Sequence, residues 1–360
     1  MRITDLQTTL LSVPLNPPIA DSTHVLKQIQ WIVVDVLTDV GLQGNSLMLT
    51  FDYAPELLRR IVDVELKRLL LGKDPHDISG IWQLCHSHCE YIGQTGVAAW
   101  GIAATDIALW DLLGKRLGVP VCRLFGSNRA QVPVYGSGGW LSYSLDELLA
   151  EMTGYVQRGF TGVKMKVGRS NIQQDVERVR AVREAIGENI GLMVDANQAW
   201  TPQRAVSFAA QVEELNLLWF EEPVAKDDLS GYCYVAAHTN IPIATGEREY
   251  SLDAFREFLA RDAASILQPD ALRIGGLSQS MKVAHLAEAY HRCVAPHFYK
   301  EIDVHILAAI NNGLYLEYFP WLDDLLVHPL AVVNGMASVP TQPGMSLEFK
   351  PDAIREFRVG

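Results

Sequence analysis

The chain is short of cysteine, of positive charge and of uninterrupted apolar sequence. Its five cysteines (Cys85, Cys89, Cys122, Cys233 and Cys293) are too few and too scattered for a disulfide scaffold. Their odd number and apolar contexts fit a reducing compartment. Lys and Arg number 30 against 42 Asp and Glu, a net charge of −12, which argues against nucleic acid or an anionic membrane as partner. The opening residues MRITDLQTTLLSV lack the continuous apolar core of a secretory signal, and no apolar run is read as long enough to cross a bilayer. These absences predict a cytoplasmic protein. Neither GxGxxG nor GxxxxGK[ST] follows a strand-like segment, and GSGGW lacks that spacing, so a nucleotide-binding doubly wound sheet has no fingerprint here.

What is present is enough apolar sequence, 49% of 360 residues, for a large core and more than one small domain. The first part reads as antiparallel strands (ITDLQTTLLSV, QIQWIVVDVLT) followed by helices, one over 52–71 with Leu57, Leu58, Ile61, Val64 and Leu66 as its apolar residues, and a second through VAAWGIAATDIALWDLLGKRLG. From about Val132 the pattern changes to strand–helix alternation, with VPVY, GVKMKV, GLMVD, LLWF, IPIAT, SILQ, CVAP and LYLEY as strands. Eight such strands predict an α/β fold: a (β/α)8 TIM-type barrel with an N-terminal α+β capping domain, completed by a turn-rich C-terminal segment. The expected division is 1–125 for the cap, 126–325 for the barrel and 326–360 for the returning segment. A doubly wound sheet is the alternative, and an eighth helix after LYLEY is hard to place.

Three acidic residues end short apolar runs at a fixed interval of 26 residues: Asp195, Glu221 and Glu247. That interval is about one β/α repeat, and strand ends of a barrel converge on one mouth. Carboxylates pushed together repel unless a cation holds them, so the spacing predicts a divalent metal, and the all-oxygen set favours Mg²⁺ over zinc. Lys164 and Lys166, two apart on one strand, share a side. Asp270 and His297 are again one repeat apart, which sets a carboxylate beside an imidazole. Glu317 ends the last strand. Each has a plainer reading: a lone KxK is usually a solvated face, and a lone histidine is usually structural. CHSHC suggests zinc, but its cysteines are four apart on an expected helix with no second ligand cluster. Trp31, Trp100, Trp110 and Trp219 read as core.

AATDIALWDLLGK, KMK, VDANQAW, FEEP, ATGE, QPDALRIGG and APHF occur in one order along nearly the whole chain. In this the sequence resembles the mandelate racemase subgroup of the enolase superfamily. The resemblance implies that Asp195, Glu221 and Glu247 ligate Mg²⁺, that Lys166 and His297 are bases on opposite faces of the substrate, and that Asp270 orients His297. It further implies that Lys164 and Glu317 hold the substrate carboxylate with Asn197 close by, and that the protein is a homo-oligomer, built from dimers and up to an octamer. A Lys or His base working with Mg²⁺ is that superfamily's known strategy. Glu317 is expected to work best protonated, and a lysine near other cations to have a depressed pKa.

The shared step is removal of a proton α to a carboxylate. Loss of a β-hydroxyl then gives a 2-keto-3-deoxy acid, whereas reprotonation from the other side gives racemisation or epimerisation. GSGGWLSY and HFYKEIDVHI are similar to acid-sugar dehydratases of the galactarate/talarate type, which favours Mg²⁺-dependent dehydration of an aldarate or aldonate. A 2-hydroxy acid racemase, a Mg²⁺-dependent aldolase on the same barrel and a non-catalytic binding paralogue are the rivals. The stretch PPIADSTHVLKQ is expected to be a loop over the barrel mouth that offers Asp21, Ser22, Thr23, His24 and Lys27, and a second loop to offer Asn45 and Ser46. This lid reads as mixed to polar, suited to a polyhydroxy acid.

Overall fold

The computed structural model describes residues 1–127 and 129–359. Strands β1 (Ile3–Ala20), β2 (Val25–Thr38) and β3 (Gln43–Thr50) form an antiparallel sheet in that order. β1 is longer than its apolar alternation suggests. It runs on through PPIA, with Ile19 opposite Leu26 and Ala20 opposite Val25. The expected loop over the barrel mouth therefore shrinks to the tip, 21–24, of a long hairpin. Asn45 and Ser46 lie within β3, not on a loop.

Helices α1 (Pro55–Arg60) and α2 (Lys67–Leu70) are joined by a π-helical stretch, Ile61–Leu66. The wider π turn shifts the phase of the helix. Leu57 and Val64, which regular helical spacing would place on the buried face, are exposed, while Leu58, Ile61, Val62 and Leu66 are buried. Helix α3 (Ile78–His88) carries Cys85 and Cys89 into the core. Helix α4 (Val97–Leu117) and the short α5 (Val121–Leu124) follow. Contrary to the expectation that no apolar run is long enough, α4 could cross a membrane by length and composition, yet 78% of that span is buried inside the protein. Its apolarity belongs to the core, because it packs on β3 on one side and on the barrel on the other. Each fully buried Leu or Ile of this helix, such as Ile107 or Leu112, contributes about 1.5–3 kcal/mol. The fit is close enough that a Cβ at Gly44 of β3 would lie 2.2 Å from the Ala108 carbonyl oxygen.

The alternation that follows is β4 (Gln131–Gly138) and α6 (Leu145–Gln157), β5 (Gly162–Lys166) and α7 (Ile172–Ile186), β6 (Gly191–Asp195) and α8 (Pro202–Val212), β7 (Leu217–Glu221) and α9 (Leu229–Ala237), β8 (Ile243–Thr245) and α10 (Leu252–Ala260), β9 (Ile266–Leu267) with α11 (Ala271–Ile274) and α12 (Leu277–Ala289), β10 (Cys293–Val294) and α13 (Lys300–Leu307), and β11 (Leu316–Tyr318). Local chemistry fixes the helix starts. Ser144 and Glu147 make a capping box at α6, Asn171 caps α7, and Pro202 takes the first turn of α8. In α7, Val176, Val179, Val182 and Ile186 face inward as their spacing predicts.

The eight strands are parallel, neighbours in chain order pair, and β11 returns to β4. The Leu314 amide donates to the Val294 carbonyl at 2.8 Å, beside a Val294–Gly313 bridge, and this joins the last strand to β10. The eight-stranded barrel is as expected. No helix of an eighth repeat follows β11. The chain turns into a hairpin, β12 (Val332–Val333) and β13 (Met336–Ser338), whose second strand lies antiparallel to β4. Further on, Gly344 bonds to Val119 and Val121, α14 (Pro351–Phe357) packs on β1, and the Val359 amide reaches the Leu10 carbonyl.

His305, on α13, joins three stretches of chain. It is fully buried. Its Nδ1 accepts from the Cys122 amide at 3.2 Å, and its Nε2 faces the Met345 carbonyl at 3.4 Å. Burial pushes its pKa down to about 4, with the Met345 contact opposing weakly. A depressed histidine contributes stability that is complete above its unfolded value of about 6.5 and is lost as pH falls from there toward 4. At pH 5 the loss is roughly 2 kcal/mol. His305→Gln keeps an acceptor and a donor without the titration. Unfolding free energies from urea titrations at pH 7 and pH 5 are expected to differ between wild type and variant by about that amount in their pH dependence. Parallel loss in both proteins would remove His305 as the group responsible.

Candidate active site and metal centre

Strand register assembles the site. Lys166, Asp195 and Glu221 are cross-strand partners on β5, β6 and β7. Glu247 follows just past Ala244, the partner of Glu221 on β8. Asp195, Glu221 and Glu247 are buried, and one carboxylate oxygen from each lies within 4.8 Å of the others. Among the described residues this is the one such cluster. Cys85 and Cys89 form none, and burial pushes the Cys85 thiol up to about 12. The cluster is not comfortable on its own. Burial raises Glu221 to about 7, with Asp195, Glu317 and Glu247 adding repulsion against the attraction of Lys164. Three oxygen donors at this spacing fit Mg²⁺, which prefers carboxylates and keeps further positions for water or substrate oxygens.

Both lysines point into the site. Lys164 Nζ lies 2.6 Å from Glu221 Oε1, 2.8 Å from Glu317 Oε1 and 3.9 Å from Asp195 Oδ2. Lys166 Nζ lies 2.5 Å from Asp195 Oδ2 and 5.5 Å from the centre of the Trp140 ring. The expected depression of the lysines is not what the arrangement gives. Burial and the neighbouring charge of Lys164 lower Lys166, but attraction from Asp195, Glu247 and Asp21 exceeds them and the pKa is raised. Lys164 is likewise raised, chiefly by Glu221 and Glu317 against burial. A dication among these carboxylates draws off part of that attraction.

Across the mouth, the backbone of Asp270 bridges to that of His297. Asp270 Oδ2 is 2.9 Å from His297 Nδ1, and its Oδ1 accepts from the Leu272 and Arg273 amides at the start of α11. His297 Nε2 faces Glu247 Oε2 at 3.4 Å. Burial lowers His297, but Glu247, the Asp270 hydrogen bond and Glu317 outweigh it and raise the group to about 9. Lys166 therefore touches the carboxylate at one end of the triad and His297 the carboxylate at the other.

Glu317 accepts from Ser137 Oγ at 2.7 Å and from the Phe298 amide at 2.9 Å, besides Lys164. Its surroundings favour the ionised form, opposite to the direction expected. Burial opposes ionisation, but Lys164, His297 and Ser137 together hold its pKa below the usual value. Asn197 lines the same cavity in a left-handed conformation (φ 43°), with its Oδ1 buried and without a partner.

The cavity, about 330 Å³, lies between barrel mouth and cap. Asp21 and His24 from the hairpin tip line it, paired to each other at 3.2 Å. Ser22 Oγ latches the tip onto the Ala196 carbonyl at 2.8 Å. Gly168, at φ 118°, makes room for that latch, since a Cβ there would meet Ser22 Cβ at 2.8 Å. Asn45 and Ser46 do not reach the cavity. Asn45 bonds to Asp35, Asp111 and Lys115, and Ser46 to the Ala104 carbonyl. β3 turns them toward α4, a placement that a loop reading misses. The wall is also more apolar than the lid sequence implies, with Leu26 and Phe51 from the cap facing Trp140, Phe298, Phe319 and Trp321.

Several site groups are not evident from the sequence. Trp219, read as core, donates to Glu221 Oε2 at 2.9 Å, and Gln268 donates to the same oxygen at 2.7 Å. Gln268 stands two residues before Asp270, so strand alternation is the signal that marks it. Arg248 grips Glu222 through Nε and reaches Glu247 at 3.4 Å. Arg273 lies within QPDALRIGG, and nothing in its spacing assigns it a role.

Comparison with known proteins agrees with this geometry. Residues 4–126 match the mandelate racemase/muconate lactonizing enzyme N-terminal domain, and residues 147–353 match the enolase C-terminal domain-like family. The chain is 34% identical to L-talarate/galactarate dehydratase of Salmonella typhimurium over 98% of its own length and 90% of that protein's. It is also 34% identical to 3,6-anhydro-alpha-L-galactonate cycloisomerase of Streptomyces coelicolor, over 99% of each. A crystal structure of a racemase from Streptomyces coelicolor with bound magnesium superposes with a TM-score of 0.96 at 34% identity, covering 99% of this chain and 100% of that one. The Salmonella dehydratase with Mg and L-lyxarohydroxamate superposes with a TM-score of 0.94 at 32% identity, covering 100% and 93%.

If the triad holds the cofactor Mg²⁺, Asp195→Asn will weaken Mg²⁺ binding by more than about a hundredfold, beyond the 10–100-fold typical of changes one shell further out. Calorimetric titration of the purified variant checks this, and an unchanged isotherm would discard Asp195 as a ligand.

Proposed function

The chain belongs to the mandelate racemase/muconate lactonizing enzyme family of the enolase superfamily, and from that membership we propose that it dehydrates an acid sugar, an aldarate or aldonate, to a 2-keto-3-deoxy acid. The observation that carries the reading is the pair of proton-transfer groups, Lys166 and His297, against opposite ends of one carboxylate triad. Bound by Asp195, Glu221 and Glu247, Mg²⁺ supplies positive charge to the substrate carboxylate whose α-proton is lost.

The residues of this chain do the rest. Removal of an α-proton builds a second negative charge on the carboxylate oxygens. Lys164, fully buried and held between Glu221 and Glu317, stabilises that charge where it develops, in the transition state more than in the ground state. One of Lys166 and His297 takes the C2 proton, as the stereochemistry of the substrate dictates. The C3 hydroxyl leaves as water on receiving a proton from the acid on its own side. The resulting enol becomes the 2-keto-3-deoxy acid by proton transfer to C3. Asp270 keeps His297 in one tautomer and orientation throughout. The apolar wall keeps bulk water from the reacting atoms.

Cycloisomerases and a racemase stand among the relatives, and ring opening, elimination and inversion begin alike. Asn197, which lines the cavity with its Oδ1 unpartnered, favours a hydroxylated substrate.

A screen of aldarates and aldonates with Mg²⁺, read by 2-keto acid formation, is expected to give at least one substrate whose turnover stops on chelation. Lys166→Ala or His297→Asn should lower kcat by about 10²–10⁴ while leaving the thermal transition in place. Wild-type turnover in either variant would void the proton-transfer roles of Lys166 and His297. Deuterium at C2 of recovered substrate in D₂O would instead indicate inversion chemistry.

A further inference from the structure

Of the cationic side chains that line the cavity, each but one is matched by an acidic group. Lys166 is paired with Asp195, Arg248 with Glu222 and Glu247, His24 with Asp21, and His297 with Asp270. Arg273 is the exception. Among the described residues it makes no ion pair and its guanidinium donates no hydrogen bond, and its Nε is buried without a partner. The nearby carboxylate of Asp270 is turned to His297 and to the Leu272 and Arg273 amides, and makes no hydrogen bond to the guanidinium. Asp270 and Glu247 attract the guanidinium from a distance and outweigh its burial, but no acidic group touches it, so its donors stay open to an anion that enters the cavity.

The group is also well held. Its carbon lies 5.8 Å from the centre of the Trp100 ring, on α4, within cation–π range. Its backbone is fixed from both sides. Asp270 caps α11 before it, and after it the Gly275 carbonyl accepts from Trp82 Nε1 at 2.8 Å, while Ser278 bonds to Asp106. The side chain thus stands at the seam of barrel and cap, with its planar donors free toward the cavity. Bidentate recognition of a carboxylate is what such a fork does best.

Resting on the reading that the cavity takes an acid sugar, we infer that Arg273 binds the far carboxylate of the substrate, so that the preferred substrate is a dicarboxylic acid, with one carboxylate at the triad and Lys164 and the other on Arg273. A monocarboxylic acid with a terminal hydroxymethyl group would leave the guanidinium without its partner. Discrimination against it follows from that unmet charge.

Equilibrium binding tests the inference apart from turnover. Mg²⁺-loaded protein in the His297→Asn background is titrated calorimetrically with galactarate and galactonate, and with glucarate and gluconate, pairs that differ only at the far end. In at least one pair the diacid is expected to bind about tenfold tighter or more. Adding Arg273→Gln should bring that ratio to near one, and Arg273→Lys should keep part of it. A ratio near one in every pair with Arg273 present, or a ratio that Arg273→Gln leaves unchanged, overturns the inference. So does equal weakening of diacid and monoacid, which reports a structural role, or binding of none of the four acids. Diacid preference without 2-keto acid formation by the wild type would sink dehydration and leave the recognition standing.

Discussion

Mutual repulsion among three buried carboxylates organises this molecule. Asp195, Glu221 and Glu247 offer oxygens within 4.8 Å of one another. At the effective dielectric of protein sites each such pair costs roughly 3–4 kcal/mol. Nearly every polar group around them answers that cost. Lys166 faces Asp195, Lys164 faces Glu221, and Arg248 and His297 face Glu247. Trp219 and Gln268 saturate the second oxygen of Glu221. The buried lysines would be untenable in an apolar barrel, and the carboxylates would be untenable without them. A dication is the one partner all three acids share.

The barrel and the cap divide the work. Groups that face the reacting atoms sit at strand ends of the barrel, where register fixes their spacing without help from loops. The cap encloses them. Its hairpin tip is latched by Ser22 to the turn after β6, and its central helix is tied to α12 through Asp106 and Ser278. The latch also reaches the Asn197 carbonyl, at 3.3 Å, so enclosure by the cap and the geometry of the site are coupled through a single turn. Trp100 from the cap and Arg273 from the barrel then meet across the seam.

What repeats along the chain is legible in its sequence. Equal spacing of Asp195, Glu221 and Glu247 reflects one strand and one helix per step, so the eight strands and the acidic triad follow from period alone. What does not repeat is easily misread. Asn45 and Ser46 are polar and follow a turn, and only the folded chain shows them within β3 and bonded to α4. The apolar wall comes from five separate segments, and no local pattern marks which residues converge. The pKa directions expected for Lys166, from neighbouring cations, and for Glu317, from a neighbouring carboxylate, are reversed by the protein's own charges. In the folded chain each is set by several opposing charges, and their sum reverses the direction.

On the proposed reading, removal of the C2 proton can lead to elimination or to cyclisation, so the triad, the lysines and the Asp270–His297 pair cannot distinguish the two. Whole-chain identity does not distinguish them either, since a dehydratase and a cycloisomerase are equally similar to this chain. The difference must lie in how the carbon chain is held. Cyclisation needs a remote oxygen brought back toward the reacting carbons, whereas elimination needs only the C3 hydroxyl set near an acid while the rest stays extended. Two fixed anchors favour the extended form. On the inference drawn for Arg273, a substrate held at the triad by one end and on Arg273 by the other is limited in rotation about its central bonds, which disfavours folding a remote hydroxyl inward. Asp270 ties the two demands together, because the same carboxylate that orients His297 through one oxygen sets the backbone of Arg273 through the other. Proton transfer and substrate extension are thereby referenced to one rigid point on the barrel.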